Sequence, residues 1–360
     1  MARRPAAAGS DQVQPVRPAL FVFGDGSLDV GNNNYIEPNE VGDPWRANHS
    51  YYGIDFPKSE PTGRFSNGFN MADFIAKAMG FKMSPPAYMS LNSPAKLDAG
   101  FAGVNYASAT AGIWRDSDDG LNIPLMDQVK YFAATIEKME ANRSRQELSK
   151  MLSNSLFLIS VGANDLYYIY NIMTRSEPDN KTDVPHLLSS YGDNITALYN
   201  LGARKFAIIN VPTLCTPVVS HTCDDLMTSL PKDFNDGIKP LMAGLASNLD
   251  GLRYSIADFY AFSDVVSTNP SAYGSQIRQL YLCCLWPVDG CTGFVNTGAS
   301  CCEGPCATNY RPPCANRMEY WYWDQENPTE QAAKLATTTF LNGTTQFTAP
   351  VNFETLINQK

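Results

Sequence analysis

The chain has 360 residues, 44% of them hydrophobic, and a formal net charge of −9. That length and apolar content allow a large buried core, in one large α/β domain or two smaller ones. The acidic balance argues against nucleic acid and anionic membrane surfaces as partners, and no apolar run approaches the roughly 18 residues of a membrane span.

Met1–Pro18 is polar and carries Arg3 and Arg4 without the apolar stretch of a signal peptide. It predicts a disordered lead, residues 1–18, ahead of a single domain over 19–360. Leu20–Phe23 is a short run of β-formers stopped by Gly24, the pattern of a buried strand feeding a turn. Asp25, Gly26 and Ser27 follow where the chain leaves that strand. Open α/β folds place their sites at such carboxyl ends.

Glu37–Glu60 is rich in Pro, Gly, Asn and aromatic residues and reads as a long surface loop, a type that is often functional. Pro61–Gly68 is a turn cluster leading into a helical pattern at Met71–Met79. Phe101–Ser108 holds a second strand, with Ala109-Thr110-Ala111-Gly112 as a small-residue turn that lets backbone approach a ligand. Leu125–Asn142 is an amphipathic helix. Leu156–Val161 is a third strand ending in Gly162-Ala163-Asn164-Asp165, Leu187–Leu201 a helix, Phe206–Val211 a fourth strand and Arg253–Ala257 a fifth. Short apolar strands alternating with helices predict a parallel sheet of about five strands, covered on both faces. A cysteine-rich, irregular segment then leads to a final helix, Thr329–Phe340, opening at Pro328.

All nine cysteines lie in the C-terminal half, seven of them within Cys283–Cys314. That crowding favours disulfides in an oxidising compartment. With three histidines and no paired zinc-type spacing, a metal site is not expected. Five Asn-x-Ser/Thr sequons, at Asn48, Asn142, Asn180, Asn194 and Asn342, favour the same secretory or extracellular route.

Several runs carry a resemblance across about Leu20–Ile357. They are Phe-Gly-Asp followed by Asp-Val-Gly-Asn-Asn-Asn-Tyr, Pro-Thr-Gly-Arg-Phe-Ser-Asn-Gly at 61–68, and Val-Asn-Tyr-Ala-Ser-x-x-Ala-Gly-Ile at 104–113. Val-Gly-Ala-Asn-Asp-Leu at 161–166, Cys-Ala-Asn-Arg at 314–317 and Trp-Asp-x-x-x-Pro-Thr-Glu at 323–330 complete the set. The chain resembles the plant GDSL esterase/lipase family of the SGNH hydrolases. That resemblance implies a flavodoxin-like three-layer α/β/α sandwich and ester hydrolysis by a Ser-His-Asp set. The substrates would be lipid acyl esters or acyl esters of wall polymers and metabolites, with no cofactor. Serine would attack the acyl carbonyl, histidine would carry its proton and aspartate would orient the imidazole.

Mapped onto this chain, the resemblance assigns the orienting acid to Asp324 and the oxyanion donors to Gly112 and Asn164, with Thr110 as the alternative to Gly112. The two reacting positions depart from the family pattern. Gly26 stands where the nucleophile belongs, and Asn327 stands where the base belongs. A carboxamide does not titrate near neutrality and cannot take up a serine proton. Ser27, one residue late, is a candidate shifted nucleophile, while Glu326 is expected to face away from Asn327. The expectation is an ester hydrolase by descent with weak or no turnover. The alternative is a binding protein or partner subunit that uses the acyl or glycan cleft without chemistry. Asp29, Asn32, Asn33 and Asp165 read as structural turn residues, and Trp321, Tyr322 and Trp323 as packing.

Overall fold

The computed structural model describes residues 18–91, 102–114, 121–141, 143–175, 183–215, 218, 223–270, 294–304, 306–308 and 311–359. The disordered lead expected at Met1–Arg17 lies outside these residues, as do Phe101, Asn142, Asn180, His221, Cys283, Cys284 and Cys291.

Five parallel strands form the centre: β1 (Leu20–Gly24), β2 (Gly103–Asn105), β3 (Leu156–Ser160), β4 (Lys205–Ile209) and β5 (Arg253–Ala257). The pair β6 (Asn296–Ser300) and β7 (Tyr320–Tyr322) forms a separate two-stranded sheet. The short β8 (Thr348–Ala349) runs antiparallel against β5, so the order is β2-β1-β3-β4-β5-β8. This sixth strand is an addition to the expected five.

Alternation along each strand builds two cores. Phe21, Phe23, Phe157, Ile159, Phe206 and Ile208 point to one face, and Leu20, Val22, Leu156, Leu158, Ala207 and Ile209 to the other. The first face is covered by α2 (Leu125–Glu140), α3 (Arg145–Asn154), α4 (Ala163–Arg175), α5 (Val184–Asn200) and α6 (Asp225–Asn248). The second is covered by α1 (Met71–Ala78), α7 (Phe259–Thr268), α8 (Glu330–Asn342) and α9 (Phe353–Asn358). The result is a three-layer α/β/α sandwich. Each fully buried Phe or Leu contributes about 2–3 kcal/mol. Of the aromatic rings on the first face, Phe21 packs edge-on against Phe132 at 5.0 Å between ring centres.

Three disulfides are present among the described cysteines: Cys215–Cys223, Cys301–Cys314 and Cys302–Cys306. The last two sit against Trp323, where the Cys302 N–H donates to Trp323 O at 2.7 Å. They tie the irregular segment to the approach of α8. No described helix is long and apolar enough to cross a membrane.

Candidate active site

Strand β1 ends at Gly24 because nothing larger fits there. Its φ is +144°, and a Cβ would lie 2.0 Å from the Ser160 carbonyl oxygen of β3. From α2, Gln128 clamps the same point. Its Oε1 accepts from Gly24 N at 2.8 Å, and its Nε2 donates to Gly24 O at 2.8 Å and to Ile123 O at 2.7 Å. The sequence reading missed this fully buried residue. The signal was present, since Gln128 interrupts the apolar stripe of Leu125, Val129 and Phe132.

Beyond Gly24, the turn places Asp25, Gly26 and Ser27 in the wall of a solvent-open cleft. Ser27 is held within the turn. Its N–H and Oγ both donate to Asp25 Oδ1, at 3.0 and 2.7 Å. Loss of water around the Asp25 carboxyl raises it to about 6 despite those two bonds.

Further hydrogen bonds lock the turn to the second block. Asp29 Oδ1 accepts from Gly31 N and Asn32 N at 2.7 and 2.8 Å, while Oδ2 accepts from Ala109 N at 3.1 Å. Asn32 Nδ2 donates to Asn105 O and Ala107 O, and Asn33 Nδ2 donates to Ala109 O. Asp165 accepts from Ile113 N and Trp114 N, at 2.8 and 3.0 Å, so the third block is tied to the second in the same way. These four polar side chains hold the blocks together.

Of the two residues considered for the second block, Thr110 lines the cleft and Gly112 is not among the lining residues. Gly112 O instead accepts from Leu125 N at 2.9 Å, at the start of α2. Thr110 adopts φ +63°, a left-handed conformation that costs a β-branched residue about 1–2 kcal/mol. Asn122 Nδ2 holds its carbonyl at 2.9 Å. Of the two alternatives read from the sequence, Thr110 is the one in the cleft wall. Asn164 does line the cleft, in the first turn of α4, with its Nδ2 donating to Ala111 O at 3.1 Å.

The opposite wall is the loop between β7 and α8. Trp323 N donates to Asn327 O at 2.8 Å, and Tyr322 bridges Pro328, so the loop turns back on itself. Asp324 sits at its heart. Oδ1 accepts from Glu326 N at 2.9 Å, Asn327 N at 2.7 Å and Asn327 Nδ2 at 3.1 Å; Oδ2 accepts from Asn327 Nδ2 at 3.1 Å and from the Tyr52 hydroxyl at 3.0 Å. Burial raises the Asp324 carboxyl despite these bonds. It also pushes the Tyr52 hydroxyl upward, with Asp324 adding to the effect.

The Asn327 amide lies between Asp324 and Gly26. Its nitrogen faces the acid, and its Oδ1 lies 3.4 Å from where a Cβ on Gly26 would stand. A side chain at position 26 would thus meet position 327 at ordinary contact distance. Glu326, expected to face elsewhere, lines the same cleft because the loop turns back. Its carboxyl is pushed up to about 7, first by loss of water and then by the nearby Asp324 and Asp25 charges. Trp321 and Tyr322 are buried and also line the cleft, whereas Trp323 packs in the disulfide-bearing core.

Neither described histidine lines the cleft. The His49 ring packs edge-on against Tyr52 at 5.1 Å, and His186 meets Asp183 at the start of α5. Among the described residues, no group of three or more His, Cys, Asp or Glu could hold a metal ion.

A family model described as GDSL-like Lipase/Acylhydrolase matches residues 20–338. The GDSL esterase/lipase At1g71691 of Arabidopsis thaliana is 34% identical over 353 residues, covering 94% of this chain and 85% of the relative. A second protein of that plant, GDSL esterase/lipase At5g22810, is 32% identical, covering 90% of this chain and 88% of its own. Among solved structures, a mutant of the acetyl-xylooligosaccharide esterase Axe2 from a Geobacillus overlaps 71% of this chain and 85% of its own. Its identity is 13% and its TM-score 0.33. From the matched length and the identity to these plant relatives, the chain belongs to the GDSL-like lipase/acylhydrolase family.

Proposed function

We propose that this protein retains the acyl-ester cleft of its family and turns ester over weakly or not at all. The observation that carries this reading is the facing pair Gly26 and Asn327. One lacks a hydroxyl to attack with, and the other lacks a nitrogen that can take up a proton. The supporting parts remain around them: Asp324 with its four donor groups, Asn164 at the cleft and the left-handed turn at Thr110. Loss of a nucleophile or base from a Ser-His-Asp set typically lowers turnover by about 10⁴–10⁶-fold, and both losses together cost little more than one. The reading includes passage through an oxidising secretory compartment. It is supported by the three disulfides and by sequons whose Asn48 and Asn342 are exposed.

A second reading has one specific observation in its favour. Ser27 Oγ donates to a carboxylate at 2.7 Å, so Asp25 could serve as a weak base for it. Hydrolysis of p-nitrophenyl butyrate separates the two. The first reading predicts wild-type turnover near background, unchanged by Ser27→Ala, and a gain of at least about 10³-fold in Gly26→Ser/Asn327→His. Ordinary esterase rates that Ser27→Ala abolishes would establish the second reading and overturn the first.

A further inference from the structure

The polar wall of the cleft is one-sided. Among the described residues that line it there is no arginine, lysine or histidine, whereas Asp25, Asp324 and Glu326 are all present. The hydroxyls around them point inward. Ser27 donates to Asp25, Tyr52 to Asp324 and Tyr167 to the Leu214 carbonyl. The Asn164 amide donates to Ala111 O. These donors are engaged within the protein, and the carboxyls of Asp25 and Glu326 stand in the same wall as acceptors.

Asn327 makes the point at atomic level. The residue is only 9% exposed, and its nitrogen is fixed by both oxygens of Asp324. Among the described residues no donor reaches its Oδ1, which faces the space left by the missing side chain at Gly26. That oxygen is open to the cleft, where it can accept a hydrogen bond from the head group of a ligand. The remaining walls are apolar and aromatic, including Phe259, Trp321 and Tyr322, with Trp45 at 63% exposure. Such walls suit an alkyl chain, and low-dielectric surroundings strengthen repulsion between like charges.

We propose that the cleft selects an amphiphile with an apolar tail and a non-anionic head that donates hydrogen bonds, a hydroxyl or a primary ammonium, seated between Gly26 and Asn327. This rests on the reading that the cleft retains acyl ligands, and adds the charge and donor character of the head group. Among the described residues, the groups facing Glu326 are Asp324, Asp25, Tyr52 and Tyr167, none of them cationic. A free carboxylate, the acid product of an ester, is therefore disfavoured at and above neutral pH.

The test is a matched titration of purified protein at pH 8 with 1-decanol, decylammonium and decanoate, read by tryptophan fluorescence. The account predicts that the first two bind at least about tenfold more tightly than decanoate. It also predicts that Gly26→Leu, which fills the seat, weakens 1-decanol about tenfold. Glu326→Gln should narrow the ratio of 1-decanol to decanoate at least threefold. Decanoate binding as tightly as 1-decanol would overturn the charge selection while leaving ligand retention standing. Undiminished 1-decanol binding in Gly26→Leu would overturn the seat. Binding of none of the three would overturn both this proposal and the retention reading beneath it.

Discussion

Asp29 and Asp25 lie one turn apart, and burial pushes both carboxyls up to about 6, yet they are used in opposite ways. Asp29 is fully buried and accepts from three backbone amides, two in its own turn and one in the second block. Asp25 faces the cleft, and its described donors come from Ser27 alone. The same contrast separates Asp324, saturated by Tyr52, Glu326 N and Asn327, from Glu326, which has no donor among the described residues. Asp29 and Asp324 are complete, while Asp25 and Glu326 are incomplete and face the cleft. On the proposed reading, Gly26 and Asn327 have lost the reacting groups while Asn327 keeps its bonds to Asp324, so the loop stays closed without them.

The sharpest way to break that contrast is to remove one member of each kind. Asp29→Ala leaves three buried N–H groups without acceptors, at about 1–3 kcal/mol each, and should destabilise by about 4 kcal/mol or more in urea unfolding. Asp25→Ala should cost about 1 kcal/mol in the same measurement, since the half-buried turn can recruit water. Equal losses would erase the distinction.

Gln128→Ala comes next. It strips the clamp from Gly24 and leaves Gly24 N and Ile123 O unpaired, for an expected loss of about 2–4 kcal/mol. In Gly26→Ser/Asn327→His background, the same change should also lower ester turnover, because the nucleophile turn hangs from Gly24. A stability loss with turnover untouched would show that the clamp does not position the site.

The smallest effect expected is the pH dependence. Asp25 and Asp29 titrate in the folded protein near 6, and Asp165 and Glu326 near 7, against about 4 in an unfolded chain. The folded state therefore holds these protons more tightly. Their contribution is full below about pH 4 and is lost as pH rises through 6 to 7. The thermal midpoint should be lower at pH 8 than at pH 5. A higher midpoint at pH 8 would mean that exposed carboxylates with lowered values, such as Asp55, dominate instead.

The strands were legible because each is a short apolar run with its own stop, as Leu20–Phe23 is with Gly24. That both faces of the sheet are covered followed from those continuous apolar runs, while the register is seen only in the structure. The long α6 is absent from the sequence-based elements; Pro231 and Pro240 lie inside it, and the helix continues through both. Asn164 was placed in a loop after β3, whereas it opens α4. The two-residue β8 has too little sequence to be read at all. At the site, Gly26, Asn327, Asp324 and Asn164 could be named from motif spacing. Glu326 was misplaced because neighbours in an extended chain face opposite ways, and this loop is not extended. That Thr110 rather than Gly112 lines the cleft, with a left-handed backbone, is a matter of backbone angle that no spacing encodes.

The central claim is that no described hydroxyl in the cleft can be activated for attack, and fluorophosphonate labelling followed by intact mass tests it most directly. Wild type should take up no phosphorus, while Gly26→Ser/Asn327→His should gain one label, mapped by peptide sequencing to position 26. A stoichiometric label on the wild-type chain, at Ser27 or any other hydroxyl of the cleft, would contradict the account.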